Sequence, residues 1–193
     1  MAVVCLAYLI GSIPFALILA RRWGASDLRL VGSGNLGAAN VMRASGVTAG
    51  ILVAALDMAK GAASVWLAAR VSAGPGLPAV AGFAAIIGHI YPVGLRFRGG
   101  KGVATACGAF SLLTPLAIPP ALAIFGAVVW TTKYVSLGSL LASMALPPLA
   151  YVLGSPAPVV GAAAASSIII VFRHRSNVVR LWTGTERRLG ARA

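Results

Sequence analysis

Hydrophobic and polar positions come in blocks along this chain. Residues 1–20 carry no charge, and Arg21 and Arg22 follow them. A secretory signal would place its basic residues first, so the run reads as a membrane helix with its N-terminus outside and a kink point at Pro14. Residues 21–46 are polar and glycine-rich, a loop. A second span covers 47–69 and is interrupted by Asp57 and Lys60. "VSAGPGLP" is a turn, and a third span, 78–95, contains His89. The polar stretch "RFRGGKGVAT" (96–105) follows it. Beyond Val103, prolines at 115, 119 and 120 divide the apolar run into a short helix to about Leu113 and another over 116–132. Spans over 135–153 and 156–172 follow, then a basic tail from Arg173.

The pattern predicts an all-α, polytopic integral membrane protein with about seven helices. The piece at 103–113 is shorter than the roughly twenty residues that cross a bilayer core. Counts of five or six spans are the alternatives. With seven, fourteen of sixteen Lys and Arg residues fall on one side; Arg70 and Lys60 are the exceptions. The positive-inside rule makes that side, with the C-terminus, cytoplasmic. No inverted repeat of the transporter kind is evident.

Composition sharpens this reading. The 193 residues suit a single membrane-embedded domain, 1–193. They are 59% hydrophobic and 10% charged, where a soluble protein carries about 25% charged residues. Three acids (Asp27, Asp57, Glu186) oppose sixteen cations, a net charge of +13. Such a balance suits an anionic substrate or a membrane surface. Nucleic acid is excluded, because the cations sit in short loops between apolar runs. Cys5 and Cys107 lie far apart in apolar segments and read as packing residues.

Three polar segments then fall on one face. In "GSGNLGAANVMR" (32–43), glycines let the backbone approach a ligand, while Ser33, Asn35, Asn40 and Arg43 offer hydroxyl, amide and guanidinium groups. From Ala38 the residues suit a helix start, which favours an anion. The other reading is a flexible loop with an Arg for topology. "RFRGGKGVAT" is not a Walker A loop: Leu95 stands where its first glycine belongs, and Gly102 follows Lys101 in place of Ser or Thr. Gly99, Gly100, Lys101 and Gly102 running into a helix are expected to form an anion nest, with Thr105 adding a hydroxyl. Arg96 and Arg98 fit lipid headgroups and substrate equally. In "RHRSNVVRLWTGTE" (173–186), His174 and Asn177 share a helix face, with Arg173 and Arg180 on the same side. Such a His beside Arg is otherwise an interfacial anchor. Glu186 is expected to pair with a loop Arg.

Asp57 and Lys60, three apart, form either a structural ion pair or a wall of the site, because bare charges at membrane depth cost about 3 kcal/mol each. Ser136 and Ser139 follow Lys133 and reach toward the same pocket. Only His89 and His174 are ordinary neutral-pH bases. No His/Asp/Glu cluster has metal-site spacing, and no catalytic triad is assignable. The residues describe a site that binds phosphates and stabilises charge around an already activated substrate. An organophosphate transporter and a non-catalytic lipid-binding protein are the competing classes.

"GSIPF", "GSGNLGAANVMR", "DMAKG", "GHIYPVGLRFRGGKGVAT", "YVSLGSL" and "HRSNVVRLWTGTE", in that order over residues 7–186, resemble the successive motifs of the bacterial acyl-phosphate-dependent glycerol-3-phosphate acyltransferases. The resemblance implies a seven-helix enzyme of the inner membrane with its site facing the cytoplasm. Such an enzyme transfers a fatty acyl group from acyl phosphate to the 1-hydroxyl of glycerol 3-phosphate, giving lysophosphatidic acid and phosphate. It implies no metal and no cofactor, membrane lipid as surroundings, and no obligatory protein partner. It also implies a substrate phosphate helping to take the proton. Carried over by position, Ser33, Arg43, Lys101, Ser139, His174 and Asn177 match the family's substrate-contacting residues, and the Gly99–Gly102 turn its phosphate-holding loop; of these Ser33, Lys101, His174 and Asn177 are expected to be catalytic. Asn35, Asn40, Arg43, Lys60, Gly99, Gly100, Gly102, Thr105, Ser136, Ser139 and Arg180 are the expected substrate contacts. Ala39 departs from the family's usual Thr, which puts one hydroxyl contact to phosphate in question. Met1 lies close to the first motif, so the first helix is expected to be slightly short.

Overall fold

The computed structural model describes residues 1–22, 28 and 34–190. Among them every regular element is helical: α1 (Ala2–Gly11), α2 (Phe15–Arg22), α3 (Ala38–Ser45), α4 (Val47–Val71), α5 (Gly76–Ile90), α6 (Val103–Leu113), α7 (Ile118–Thr132), α8 (Val135–Val152), α9 (Ala157–Arg173) and α10 (Arg175–Trp182), with a 3₁₀ turn at Val93–Leu95. Four stretches are long and apolar enough to cross a bilayer: Ala2–Ala20, α4, Gly76–Leu95 and α8. The pair α9 and α10, bent by 56°, makes a fifth if it counts as one. α6 and α7 are shorter apolar helices. The helix start expected at Ala38 is α3, and the basic tail carries α10.

Two helix crossings organise the bundle, and both are built on reciprocal glycines. A Cβ at Gly61 on α4 would overlap the Thr105 carbonyl on α6, and one at Gly108 on α6 would overlap the Met58 carbonyl on α4. Likewise Gly11 of α1 meets the Ala85 carbonyl of α5, and Gly88 of α5 meets the Tyr8 carbonyl of α1. Lipid supplies little hydrophobic drive between helices, so close backbone approach provides the dispersion contacts. α7, α8 and α9 pack in sequence beyond this pinned half. Phe110, Ile86, Ile90 and Ile170 are buried where α5, α6 and α9 meet.

The first span breaks at Pro14, where the sequence suggested a kink: α1 stops at Gly11 and α2 starts at Phe15. The freed carbonyl of Ile13 is captured by the Lys60 ammonium of α4, Nζ to O 3.0 Å. Lys60 Nζ is also 2.8 Å from Asp57 Oδ1, and His89 Nδ1 of α5 lies 3.5 Å from the same oxygen. One buried polar group thus ties the broken span, α4 and α5 together.

Two stability predictions follow from these contacts. Gly61→Ala and Gly108→Ala should each cost about 1–3 kcal/mol by overpacking, read as a fall in the thermal midpoint in detergent. Gly126→Ala, where a Cβ meets nothing, should be neutral; equal losses at all three positions would contradict the crossing geometry. Lys60→Met should cost about 3–5 kcal/mol, because it leaves a buried carboxylate without its cation. Its affinity for phosphate ligands should stay at the wild-type level; a selective loss of that affinity would show that Lys60 reaches the ligand.

Candidate active site

The glycine turn does a different job from the one expected of it. The last carbonyls of a helix need donors from outside it. Gly99 N–H donates to Ile90 O at 3.0 Å and Gly100 N–H to His89 O at 3.1 Å, both at the end of α5. Those two amides are therefore spent and do not form an anion nest. Glycine is required because the turn lies directly on α5: a Cβ at Gly99 would overlap the His89 carbonyl, and one at Gly100 the His89 ring. Arg173 Nη2 donates to Gly99 O and Gly100 O at 3.5 and 3.4 Å, and its guanidinium lies 5.5 Å from the Tyr91 ring centre. The clamped turn delivers Lys101. Gly102, at φ 92°, then caps α6, whose first amides lack partners within the helix.

Lys101 Nζ donates to Asn177 Oδ1 of α10. Asn177 Nδ2 donates to Glu186 Oε1 at 2.7 Å, Ser136 Oγ of α8 donates to the same oxygen at 2.8 Å, and Arg180 Nε donates to Glu186 Oε2 at 2.7 Å. The expected partner of Glu186 was a loop Arg; Arg180 lies in α10. Burial works against the Glu186 carboxylate, but its donors outweigh that and hold it below its ordinary pKa. Burial, with neighbouring Arg180, Arg43 and Arg173, brings Lys101 down to about 8, against the opposing pull of Glu186. His174 stands at the bend between α9 and α10, 2% exposed, with Nδ1 2.8 Å from Ile170 O. That carbonyl can only accept, so Nδ1 carries the proton and Nε2 is the free nitrogen.

These groups line one cavity of about 410 Å³. Asn35, Asn40, Arg43, Lys101, Gly102, Ser136, Ser139, His174, Asn177 and Arg180 all reach it, from four separate segments. Asn40 Nδ2 donates to Leu28 O at 3.0 Å, and Ser139 Oγ donates back to Val135 O at 2.9 Å. Burial pushes Arg43 below its ordinary pKa, yet a guanidinium stays charged at neutral pH. Away from this polar end the walls are apolar, with Ile118, Leu122 and Phe125 of α7 and Leu146 of α8. The cavity therefore has a cationic head and a largely apolar body.

Four expected site residues fall elsewhere. Lys60 does not line this cavity, because its ammonium is consumed by Asp57 and the Ile13 carbonyl. Thr105 is fully buried on α6 at the crossing with α4, and its hydroxyl has no partner among the described residues. Gly99 and Gly100 line a minor crevice behind the cavity. Ser33 lies outside the described residues. Conversely, Glu186 and Arg187 line the cavity although neither was an expected contact; Asp57, read as an ion-pair member or a wall of the site, and His89, read as a base, line it too. Glu186 was legible as the only acid of the tail; Arg187 carried no signal of its own.

The family profile described as glycerol-3-phosphate acyltransferase matches residues 1–184. A glycerol-3-phosphate acyltransferase of Syntrophotalea carbinolica is 47% identical, the match covering 96% of this chain and 95% of that protein. One of Geobacter sulfurreducens is 43% identical over 96% of this chain and 95% of its own length. The crystal structure of PlsY (YgiH), an integral membrane glycerol 3-phosphate acyltransferase in its glycerol 3-phosphate form, superposes with a TM-score of 0.93 at 39% identity, covering 97% of this chain and 94% of that one. Its lysophosphatidic acid form gives 0.90 at 37% identity, with the same coverage. With nearly its whole length matched and its fold shared, this chain belongs to the glycerol-3-phosphate acyltransferase family.

Proposed function

We propose that this protein transfers a fatty acyl group from acyl phosphate to the 1-hydroxyl of glycerol 3-phosphate. The products are lysophosphatidic acid and phosphate, the first acylation of phospholipid synthesis. The observation that carries the proposal is the division of one cavity into a cationic head and an apolar body. An acyl phosphate has the same two halves, and a second phosphate compound needs the additional cations. The glycerol 3-phosphate and lysophosphatidic acid forms of one relative, PlsY (YgiH), support the acceptor and the product.

Lys101, Arg43 and Arg180 hold the two phosphates, with the first amides of α6 and the Asn35, Asn40 and Ser139 side chains orienting them. Ser33 joins them by its place in the motif. Asn177, turned by Glu186 so that its oxygen meets Lys101, fixes the ammonium beside the reacting anhydride. His174 offers Nε2 to the acceptor. The acceptor's 1-oxygen forms a bond to the acyl carbon, the bond from that carbon to the phosphate oxygen breaks, and the hydroxyl proton leaves on the phosphate. Charge growing on the departing phosphate is met by preorganised cations in a site of low dielectric. The whole chain acts as one unit in the cytoplasmic (inner) membrane. α6 and α7 complete seven crossings, which leaves the N-terminus outside, the C-terminus inside and the site open to the cytoplasm. Fourteen of sixteen cations on that side support this orientation.

Purified protein given palmitoyl phosphate should release phosphate and form lysophosphatidic acid only when glycerol 3-phosphate is present. Phosphate release indifferent to the acceptor would argue for a hydrolase instead. Lys101→Ala and Asn177→Ala should lower kcat/KM by at least about a hundredfold, the scale of one preorganised donor, with the thermal midpoint nearly unchanged. A residual rate within a few-fold of wild type in both would remove them from the site.

The lowered pKa of Lys101 also sets a pH dependence. A depressed ammonium loses its charge earlier as pH rises, so anion binding should be intact below about 8 and weaken above it. kcat/KM should fall by up to about tenfold per pH unit there, if one protonation controls it. Lys101→Arg, whose charge persists, should flatten that limb even at a lower absolute rate. A wild-type profile still level at high alkaline pH would contradict the assignment.

A further inference from the structure

Four serines on or at the end of helices satisfy their hydroxyls locally. Ser12, Ser64, Ser111 and Ser139 each donate to the carbonyl four residues earlier, at 2.7–2.9 Å. Ser136 donates to Glu186. Ser45, Thr105 and Ser166 carry buried hydroxyls with no partner among the described residues, and of these three only Ser166, in the middle of α9, lines the cavity. It is 1% exposed. A buried hydroxyl without a partner carries its full desolvation penalty. Its position makes the omission informative, because it lies in the apolar body and not in the phosphate-binding head. Buried Leu146 and Ile170 line the same region. At 1.5 Å per residue, Ser166 lies about 12 Å along α9 from His174.

A second hydroxyl stands at the same depth. α8 and α9 are antiparallel neighbours joined by a short turn. Ser143 lies seven residues beyond Ser136 on α8, hence about 10 Å below the Glu186 cluster. It too is buried and lines the cavity. The α8–α9 seam therefore carries a polar ledge partway along a groove that is otherwise suited to methylene groups.

Resting on the acyl-phosphate reading above, we propose that Ser166, with Ser143 across the seam, is a specificity-determining site for an oxygen-bearing substituent on the acyl chain. The ligand class is an acyl phosphate with a hydroxyl group in mid-chain. A plain saturated chain leaves the Ser166 hydroxyl unpaired, whereas a chain hydroxyl at this depth donates to it or accepts from it. Pockets with polar groups of this kind discriminate through the unpaired partner left by the wrong substrate.

The test compares palmitoyl phosphate with a set of hydroxypalmitoyl phosphates, the hydroxyl moved carbon by carbon along the chain. Wild type should favour the isomers that bring the hydroxyl to the ledge, relative to their neighbours. Ser166→Ala should abolish that peak by lowering the ratio of kcat/KM values about fivefold, the weight of one neutral hydrogen bond, and Ser143→Ala should diminish it. The KM for glycerol 3-phosphate should not move. Without substrate, Ser166→Ala should keep or raise the thermal midpoint in detergent, because it removes an unsatisfied group. A flat wild-type profile, or a peak identical in wild type and Ser166→Ala, overturns the inference while leaving the acyltransferase reading intact. A Ser166→Ala protein that is destabilised or fails to fold also overturns it, since the hydroxyl would then be holding a structural water. Wild type that turns over none of these donors overturns the acyl-phosphate reading, and this inference with it.

Discussion

Positive charge gathered at the edge of a low-dielectric interior must be compensated, and this chain holds few carboxylates with which to do it. Asp57 is spent at membrane depth, where it neutralises Lys60 and faces His89. Glu186 is spent at the cavity head, where one oxygen takes Ser136 and Asn177 and the other takes Arg180. Arg43, Lys101 and Arg187 also face the cavity, beyond what a single carboxylate can offset. Burial first, and then this residual charge, depresses the Lys101 ammonium, and the same excess suits the cavity to an anionic ligand. Substrate binding and charge compensation are one interaction.

The cavity exists because half of the bundle is closed and half is not. Reciprocal glycines pin α4 on α6 and α1 on α5, with backbones in direct contact. α7, α8 and α9 are joined by short turns and pack in sequence. A groove between α6 and this second group runs from the Lys101 head into apolar walls. The bend between α9 and α10 turns His174 and Asn177 over its mouth. The tail then returns across the α7–α8 turn, where Leu189 N–H donates to Lys133 O at 2.7 Å. This return carries Glu186 back to α8.

The glycine turn shows how a motif can be recognised and its mechanism misjudged. Glycines beside a lysine suggest amides aimed at phosphate, but a helix that ends next to them has carbonyls to satisfy. Both amides go to α5, and the absence of side chains serves packing against His89. Lys60 is a similar case. A lysine in a span suggests either an ion pair or a ligand contact; the pair with Asp57 forms, and the break at Pro14 releases a carbonyl that the same ammonium also satisfies. Each local demand arises from an element remote in sequence, so neither was visible in the motif.

Hydrophobic block length by itself determined that the chain is helical and membrane-embedded, and prolines 115, 119 and 120 marked the division between α6 and α7. The excess of Lys and Arg, with Ser, Asn and Gly at ordered spacings, determined that the chemistry concerns phosphate. These properties are legible because span length, proline and charge act locally, through the cost of exposing backbone or charge to lipid. Only the tertiary structure decided which cations face the cavity. Arg43 and Lys101 reach the cavity while Lys60 and Arg173 are occupied, because partnership depends on carbonyls and carboxylates brought together from separate helices. It alone also brought Ser143 and Ser166 to one cavity, since which helix faces meet is set by packing and not by the spacing of residues along either helix.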